Sequence, residues 1–256
     1  MNILVLIKAV PAVSGGLDGD QKTTELIINP ADLAALEEAL QLKTSHRAKV
    51  TVATMGIQRC EQLLRECIAR GADDAVLITD RAFAGSDTCA TSRILAKVVE
   101  LMGGFDLIFC GRKSTDGETG QVGPELAVRI NMPYVANCTG FRLDGNRLYC
   151  NCLTDNGSEE VTLMLPSLVT FRNGINSPRL PSLMGLRRAN QFQVRTLNFD
   201  AVGLPRELTG QAGSPTIVKR SIRKEFKKRQ AVVLSVSQME AAIERIRSYV
   251  RKEDAL

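Results

Sequence analysis

The residues of this chain best suited to chemistry stand in the stretch FDLIFCGRKSTDGETGQVGPELAVRI, from Phe105 to Ile130. Leu107-Ile108-Phe109-Cys110 has strand character and stops at Gly111. A polar, glycine-punctuated loop follows, and from Gln121 the spacing of Val122, Leu126, Ala127 and Ile130 becomes helical. Amides in the first turn of a helix are unpaired and carry partial positive charge, so such a junction suits a phosphate-bearing ligand. Gly117, Gly120 and Gly123 remove Cβ atoms where an adenylate would need close approach. Taken alone, the pattern fits an ordinary strand–loop–helix junction equally well. Asp116 and Glu118 can hold a ribose hydroxyl or orient the loop by accepting backbone N–H bonds; the second use is the one expected.

Other chemistry finds little support. No GxGxxG follows the first strand and no GxxxxGK[ST] is present. The only histidine, His46, stands in a polar linker, which leaves no basis for a Ser-His-Asp triad or a His-dependent metal site. Seven cysteines (Cys60, Cys67, Cys89, Cys110, Cys138, Cys150 and Cys152) form no CxxC pair and read as reduced, mostly buried thiols. Cys150 and Cys152 would share one face of a strand. Glu37-Glu38, Asp73-Asp74 and Glu159-Glu160 are sequence neighbours that do not face each other, so they read as surface charge rather than acid/base dyads. No catalytic residue and no metal is expected. A nucleotide-binding chain without nucleophile or base suggests a carrier or scaffold.

The elements that must position the loop alternate strand and helix. Asn2–Val10 is a near-continuous apolar strand of the kind buried on both faces of a parallel sheet. After a Gly- and Asp-rich loop over 11–22, Leu26-Ile27-Ile28 reads as a small strand of a hairpin-like insertion. Asn29 then suits an N-cap and Pro30 the first helical position. Lys49–Met55 is the second strand and Gln58–Arg70 a helix with Cys60, Leu63, Leu64, Cys67 and Ile68 inward. Ala75–Ile78 is the third strand, and Ser86 or Asp87 caps a helix reaching about Leu101. Four such units predict a right-handed, mostly parallel, doubly wound α/β sheet with helices on both sides. Ligands on these sheets gather beyond the carboxyl ends of the strands. Lys8-Ala9-Val10, Thr54-Met55-Gly56 and the chain from Gly111 should therefore converge on one crevice, joined by Asn29-Pro30-Ala31-Asp32.

Past Pro133 the character changes. Phe141–Leu148 and Tyr149–Thr154 read as strands of a hairpin around Asp144-Gly145-Asn146. Glu159–Leu165 and Ser167–Phe171 are further strands, giving an antiparallel or mixed extension. Gly174–Asp200 reads as irregular, and Phe199–Thr216 as an extended arm that needs another surface to lie on. Ser237–Val250 is an amphipathic helix with Met239, Ile243, Ile246 and Val250 as its stripe. The net charge of +5 is concentrated in Arg187-Arg188 and in the run from Lys219 to Arg229, and aromatic residues make up only 4%. That leaves few stacking platforms, so no nucleic-acid partner is expected. No run approaches the roughly 20 apolar residues of a membrane span, and Met1–Val10 has neither a basic start nor a small-residue cleavage site. A cytoplasmic location is expected.

Several segments together resemble the beta subunit of electron transfer flavoproteins. They are NILVLIKAVP, INPADLAALEEAL, VATMGIQRCEQLLRECIARGADDAVLI, GRKSTDGETGQVGPELA, LPSLVTFRNGINSPRLPSLMGLRRA and GSPTIVKR, in this order. The resemblance implies a Rossmann-like fold of the adenine-nucleotide alpha-hydrolase type over residues 1–192. Residues 193–256 would be an arm and helix embracing an alpha subunit. It implies a heterodimer in which an FAD shared with that alpha subunit is redox-active, and AMP or a second FAD lies in the beta subunit. Electrons would come from an acyl-CoA dehydrogenase or a related flavin dehydrogenase, as in fatty acid oxidation. Nucleotide contacts would come from Ala9, Asn29 to Asp32, Met55 and Ser114 to Val122, with Thr119, Gly120, Gln121 and Val122 as the phosphate cradle. A partner-recognition loop near 178–188 would present Leu183 as its anchor. The chain departs from the family pattern at Leu180, where an aromatic is usual, and at Arg187-Arg188-Ala189-Asn190, where a lysine-rich run is usual. The compact loop Asp116–Pro124 resembles the branch that includes bifurcating and nitrogen-fixation-associated members, in which NADH would reduce a beta-subunit FAD. Readings from other classes are an ATP-hydrolysing or adenylate-transferring enzyme and a non-redox adenylate-sensing module.

Overall fold

The computed structural model describes residues 1–12, 25–217, 219 and 238–253. The chain separates into two compact units, 1–217 and 218–256.

In the first unit the opening strand is shorter than its apolar run. β1 (Asn2–Leu6) lies in the main sheet, and at Lys8 the chain turns out of it. The Lys8 amide donates to Asp32 Oδ2 (2.7 Å) and its carbonyl accepts from the Asn29 amide (2.9 Å), so residue 8 bonds to a helix start and not to a strand. β2 (Ala9–Pro11) then pairs antiparallel with β3 (Leu26–Ile28), the small hairpin expected. α1 (Pro30–His46) begins with the expected proline and carries His46 in its last turn, so His46 ends a helix instead of standing in a linker. β4 (Lys49–Met55), α2 (Glu61–Arg70), β5 (Asp74–Ile78), α3 (Thr88–Met102), β6 (Leu107–Gly111) and α4 (Val122–Arg129) continue the alternation. Asp87, not Ser86, caps α3, accepting from the Ala90 amide.

β7 (Tyr134–Asp144), β8 (Arg147–Thr154) and β9 (Gly157–Met164) form an antiparallel meander, longer at its start than the hairpin expected. β10 (Ser167–Phe171) then enters the sheet between β6 and β7, parallel to both. The region read as irregular contains α5 (Leu183–Gln191) and β11 (Arg195–Leu197), whose three residues pair parallel with β5. The sheet order is β11-β5-β4-β1-β6-β10-β7-β8-β9. The chain steps outward from β1 through β4 to β5 and returns to β6 on the other side of β1. That reversal places a topological switch point between β1 and β6, where open sheets of this kind have their crevice.

Alternate residues of β1 explain the continuous hydrophobicity. Ile3 and Val5 join the layer with Leu36 and Leu40 of α1 and Leu64 and Ile68 of α2. Leu4 and Leu6 join the opposite layer with Ile94, Leu95 and Leu126 of α3 and α4. Each side chain so buried contributes about 1.5–3 kcal/mol of transfer free energy.

α6 (Phe199–Val202) and the segment to Thr216 do lie on a surface, but it is the chain's own. Val202 is fully buried, and Gly210 approaches Ala82 so closely that a Cβ would strike its carbonyl. In the second unit, α7 (Met239–Glu253) is helical as expected and exposes Met239, Ile243 and Ile246. Ser237, the side chain of Val250 and the basic run apart from Lys219 lie outside the described residues. Among the described residues no helix is long and apolar enough to cross a membrane.

Candidate functional site

A cavity of about 510 Å³ opens beyond the carboxyl ends of β1, β4 and β6. Its floor is apolar: Leu6, Ala53, Met55, Leu95 and Cys110. Its rim is polar and comes from three helix starts, those of α1, α3 and α4, together with the loop 111–121. This volume lies in the usual range for a single small-molecule ligand.

Asp32 organises the rear wall. It is buried, and its two oxygens accept the Lys8 and Gly111 amides at 2.7 Å each, tying the ends of β1 and β6 to the first turn of α1. Burial pushes its carboxyl pKa up to about 6, although the two amides, Asn29 and the nearby Lys8 charge pull the other way. Gly111 is required for this closeness, because a Cβ there would collide with Asp32 and Ala31. Asn29, expected as a side-chain N-cap, does something else. Its amide group donates to the Lys113 carbonyl (3.1 Å) and accepts from the Thr115 amide (3.3 Å), fastening the front loop to α1.

That loop is braced from within. Lys8 Nζ lies 2.7 Å from Asp116 Oδ1 and donates to Ser114 Oγ (3.2 Å), and the Gly117 amide donates to the same carboxylate (2.7 Å). Partial burial works against the Asp116 charge, but the bonds from Lys8 and Ser114 outweigh it and hold the carboxyl below its usual range. Asp116 thus orients the loop. Glu118 pairs with Lys113 at 3.4 Å. Gly120 takes φ +66°, a left-handed conformation, with its α-carbon facing the Arg112 carbonyl. Arg112 itself lines the cavity and has no carboxylate partner among the described residues.

Of the residues singled out from the sequence, Lys8, Asn29, Asp32, Met55, Gly111, Ser114, Gly117, Thr119, Gly120, Gln121, Val122 and Gly123 line this cavity. Ala9, Pro30, Ala31, Gly56, Thr115, Asp116 and Glu118 do not. Ala9 has left the sheet to pair with Ile28, and Asp116 reaches the cavity through the lining residues it holds, Lys8, Ser114 and Gly117. Gly56 lies against Cys60, where a Cβ would come within 2.7 Å of its sulfur. Gly123 is also a packing glycine: a Cβ there would meet Thr170 at 2.7 Å, so its bareness serves the α4–β10 contact. Sequence reasoning missed the third helix start. Ser86, Asp87, Thr88 and Thr91 face the cavity, and Thr216 closes its edge by donating its amide and hydroxyl to Asp87 (3.0 and 2.7 Å). The hydroxyl-rich run after the third strand was a usable signal, since it follows the carboxyl end of β5.

A second surface lies away from this cavity. Leu180, Leu183 and Met184 are 82%, 83% and 73% exposed, an apolar cluster that packs under nothing among the described residues. Leu183 opens α5 instead of riding on a loop, because the Ser182 side chain accepts the Gly185 amide (2.9 Å) and caps a helix there. Glu37, read from sequence as surface charge, is buried beneath this segment and grips Arg179 with both oxygens. Asp73 is likewise engaged, accepting the Val50 amide (2.9 Å) and the Lys43 ammonium (2.6 Å).

Comparison with known proteins gives a consistent result. A family model described as the electron transfer flavoprotein domain matches residues 20–202. Electron transfer flavoprotein subunit beta of Thermoanaerobacterium thermosaccharolyticum is 41% identical over 225 residues, covering 85% of this chain and 86% of the relative. Protein FixA of Azotobacter vinelandii is 41% identical over 202 residues, 76% and 72% of the two chains. The caffeyl-CoA reductase-Etf complex subunit CarD of Acetobacterium woodii is 37% identical over 229 residues, 86% and 88% of the two.

Proposed function

The chain belongs to the electron transfer flavoprotein family, on its beta-subunit side, and from that premise we propose that it works as a carrier subunit. It would pair with an alpha subunit, hold an adenine nucleotide in the switch-point cavity and pass electrons from a flavin dehydrogenase to a downstream acceptor. The observation that carries the nucleotide reading is the convergence of three strand ends and three helix starts on one apolar-floored cavity with a polar rim that includes Lys8 and Arg112.

The residues present suit AMP, or the adenylate end of a second FAD. Leu6, Ala53, Met55, Leu95 and Cys110 would exclude water from the base. The amides of Thr119 to Val122 and the Thr119 hydroxyl would receive the phosphate, with Lys8 and Arg112 supplying positive potential. Burial drives the Cys110 thiol well above its usual pKa, so it serves the floor as a neutral apolar group. Asp32 and Asn29 do not need to touch the ligand; they fix the strand ends and the loop that do. The alpha-subunit FAD, when bound, supplies the redox centre, and AMP in this chain would supply none.

The exposed cluster around Leu183 would be the docking site for the dehydrogenase, an apolar anchor on a capped helix start. The Acetobacterium woodii relative, by name part of a caffeyl-CoA reductase complex, supports a dehydrogenase of CoA esters as the partner. The test is the content of the co-expressed heterodimer after acid release. One flavin and one AMP fit simple transfer, and two flavins fit a bifurcating complex. A colourless chain that turns over ATP by itself would overturn the proposal.

A further inference from the structure

We infer that Glu37 is a positioning residue for partner docking, holding the Leu183 cluster in its presented form through a two-pronged grip on Arg179. The inference rests on the reading of that cluster as the docking site. It goes beyond that reading in naming what orders the site before a partner arrives.

None of the exposed leucines holds the segment in place. Leu180, Leu183 and Met184 point outward, so their own burial does not fix the backbone from Asn176 to Leu186; Ile175 before it and Ala189 after it pack on the core. Polar contacts hold the stretch between. Asn176 Nδ2 donates to the Ala34 carbonyl (3.0 Å) and to Glu38 Oε1 (2.9 Å). Arg179 donates from its amide (3.0 Å) and its Nε (2.9 Å) to Glu37 Oε2, and from Nη2 to Glu37 Oε1 (2.9 Å). The Arg179 carbonyl accepts in turn from Arg70. Gly185 then lies on Ala69 with no room for a Cβ, and Arg65 holds the far end of α5 through the Ala189 (2.7 Å) and Phe192 (2.6 Å) carbonyls.

Among these contacts the Glu37 pair stands apart. Its carboxylate side chain is only 8% exposed while the guanidinium is 39% exposed, so the fixed member is on the rigid helix and the held member is on the segment. A carboxylate removed from water needs its counter-ion, and the planar guanidinium fork satisfies both oxygens in a single orientation. One of its three bonds comes from the Arg179 main chain, so the grip sets backbone direction one residue before Leu180. Ordering a segment in advance removes an entropic cost that the complex would otherwise bear at docking. The grip should therefore act on partner affinity and leave the electron-transfer step alone.

The experiment uses the intact heterodimer, reduced by an acyl-CoA dehydrogenase, with Glu37→Gln, Arg179→Lys, Leu183→Ala and the Glu37→Gln/Leu183→Ala double variant. Glu37→Gln is expected to raise KM for the dehydrogenase on the order of tenfold, with kcat within about twofold, as loss of preorganisation predicts. Arg179→Lys, which keeps the charge and loses the fork, should fall between wild type and Glu37→Gln. In the double variant KM should rise no further than in Leu183→Ala alone, since both changes remove the same docking contact. Hydrogen exchange of the 180–186 amides should quicken in Glu37→Gln while the sheet is unchanged. A wild-type KM in Glu37→Gln beside a raised KM in Leu183→Ala would overturn the positioning role and leave the docking reading standing. So would multiplying effects in the double variant. No effect of Leu183→Ala would remove the docking reading itself.

Discussion

Replacing Gly120 by valine should empty the nucleotide cavity without unfolding the chain. Gly120 has φ +66°, where a residue bearing a Cβ costs about 1–2 kcal/mol and a β-branched one more. The new Cβ would also lie 3.2 Å from the Arg112 carbonyl oxygen. Arg112 cannot retreat freely, because its amide donates to the Phe171 carbonyl (2.7 Å) at the edge of the sheet. The loop must therefore yield, carrying the Thr119–Val122 amides with it. If the displaced loop takes up ~2–3 kcal/mol of strain on rebinding, nucleotide affinity falls on the order of thirtyfold to a hundredfold, at 1.4 kcal/mol per tenfold. The assay is adenine released by acid per heterodimer, with circular dichroism to confirm the fold. Gly140→Ala is the control, since a Cβ there meets nothing within 4 Å and the residue does not line the cavity. Full occupancy in Gly120→Val, or equal loss in Gly140→Ala, would refute the placement of the phosphate cradle.

Asp32 should give stability a pH dependence of unusual sign for a carboxylate. Its pKa rises from 3.8 to about 6 on folding, so the folded chain holds the proton more tightly. The associated stability is complete below the unfolded value and is lost as pH climbs through about 6, ~3 kcal/mol in all. Asp32→Asn removes that slope, so the difference in unfolding free energy between the two proteins should move by ~1.5 kcal/mol between about pH 4.5 and 6; a flat difference contradicts a buried, proton-holding Asp32. Leu183→Ala should weaken reduction by the dehydrogenase and leave nucleotide content untouched, and parallel loss of both would exclude a pure docking role. Lys8→Met breaks an ion pair whose side chains are 49% and 35% exposed, so chemical denaturation should show a change of no more than about 1 kcal/mol. Nucleotide retention in that variant should fall and lose part of its salt dependence; retention at every salt concentration would show that Lys8 contributes no potential to the site.

Whatever depends on neighbours along the chain was legible before folding. Two-sided hydrophobicity made Ile3 to Leu6 a central strand, proline and aspartate marked the starts of α1 and α3, and a glycine-rich loop between β6 and α4 announced an open crevice. These signals suffice for the four βα units and for bringing Asn29, Asp32, Met55, Gly111 and Val122 to one cavity, because strand ends of one parallel sheet necessarily lie side by side.

Tertiary structure alone decided which strand lies beside which, and where charge is buried. β10 reads as one more strand after a hairpin, yet it is inserted between β6 and β7, and β11 is too short to show any period. Glu37 reads as half of a surface pair until Arg179, 142 positions later, is folded over it. Asn29 reads as a cap until the 113–115 backbone offers it better partners. Local periodicity records which face of an element is apolar. It carries no information about which distant group will meet a polar side chain, and that meeting sets burial, protonation and the form of both candidate sites.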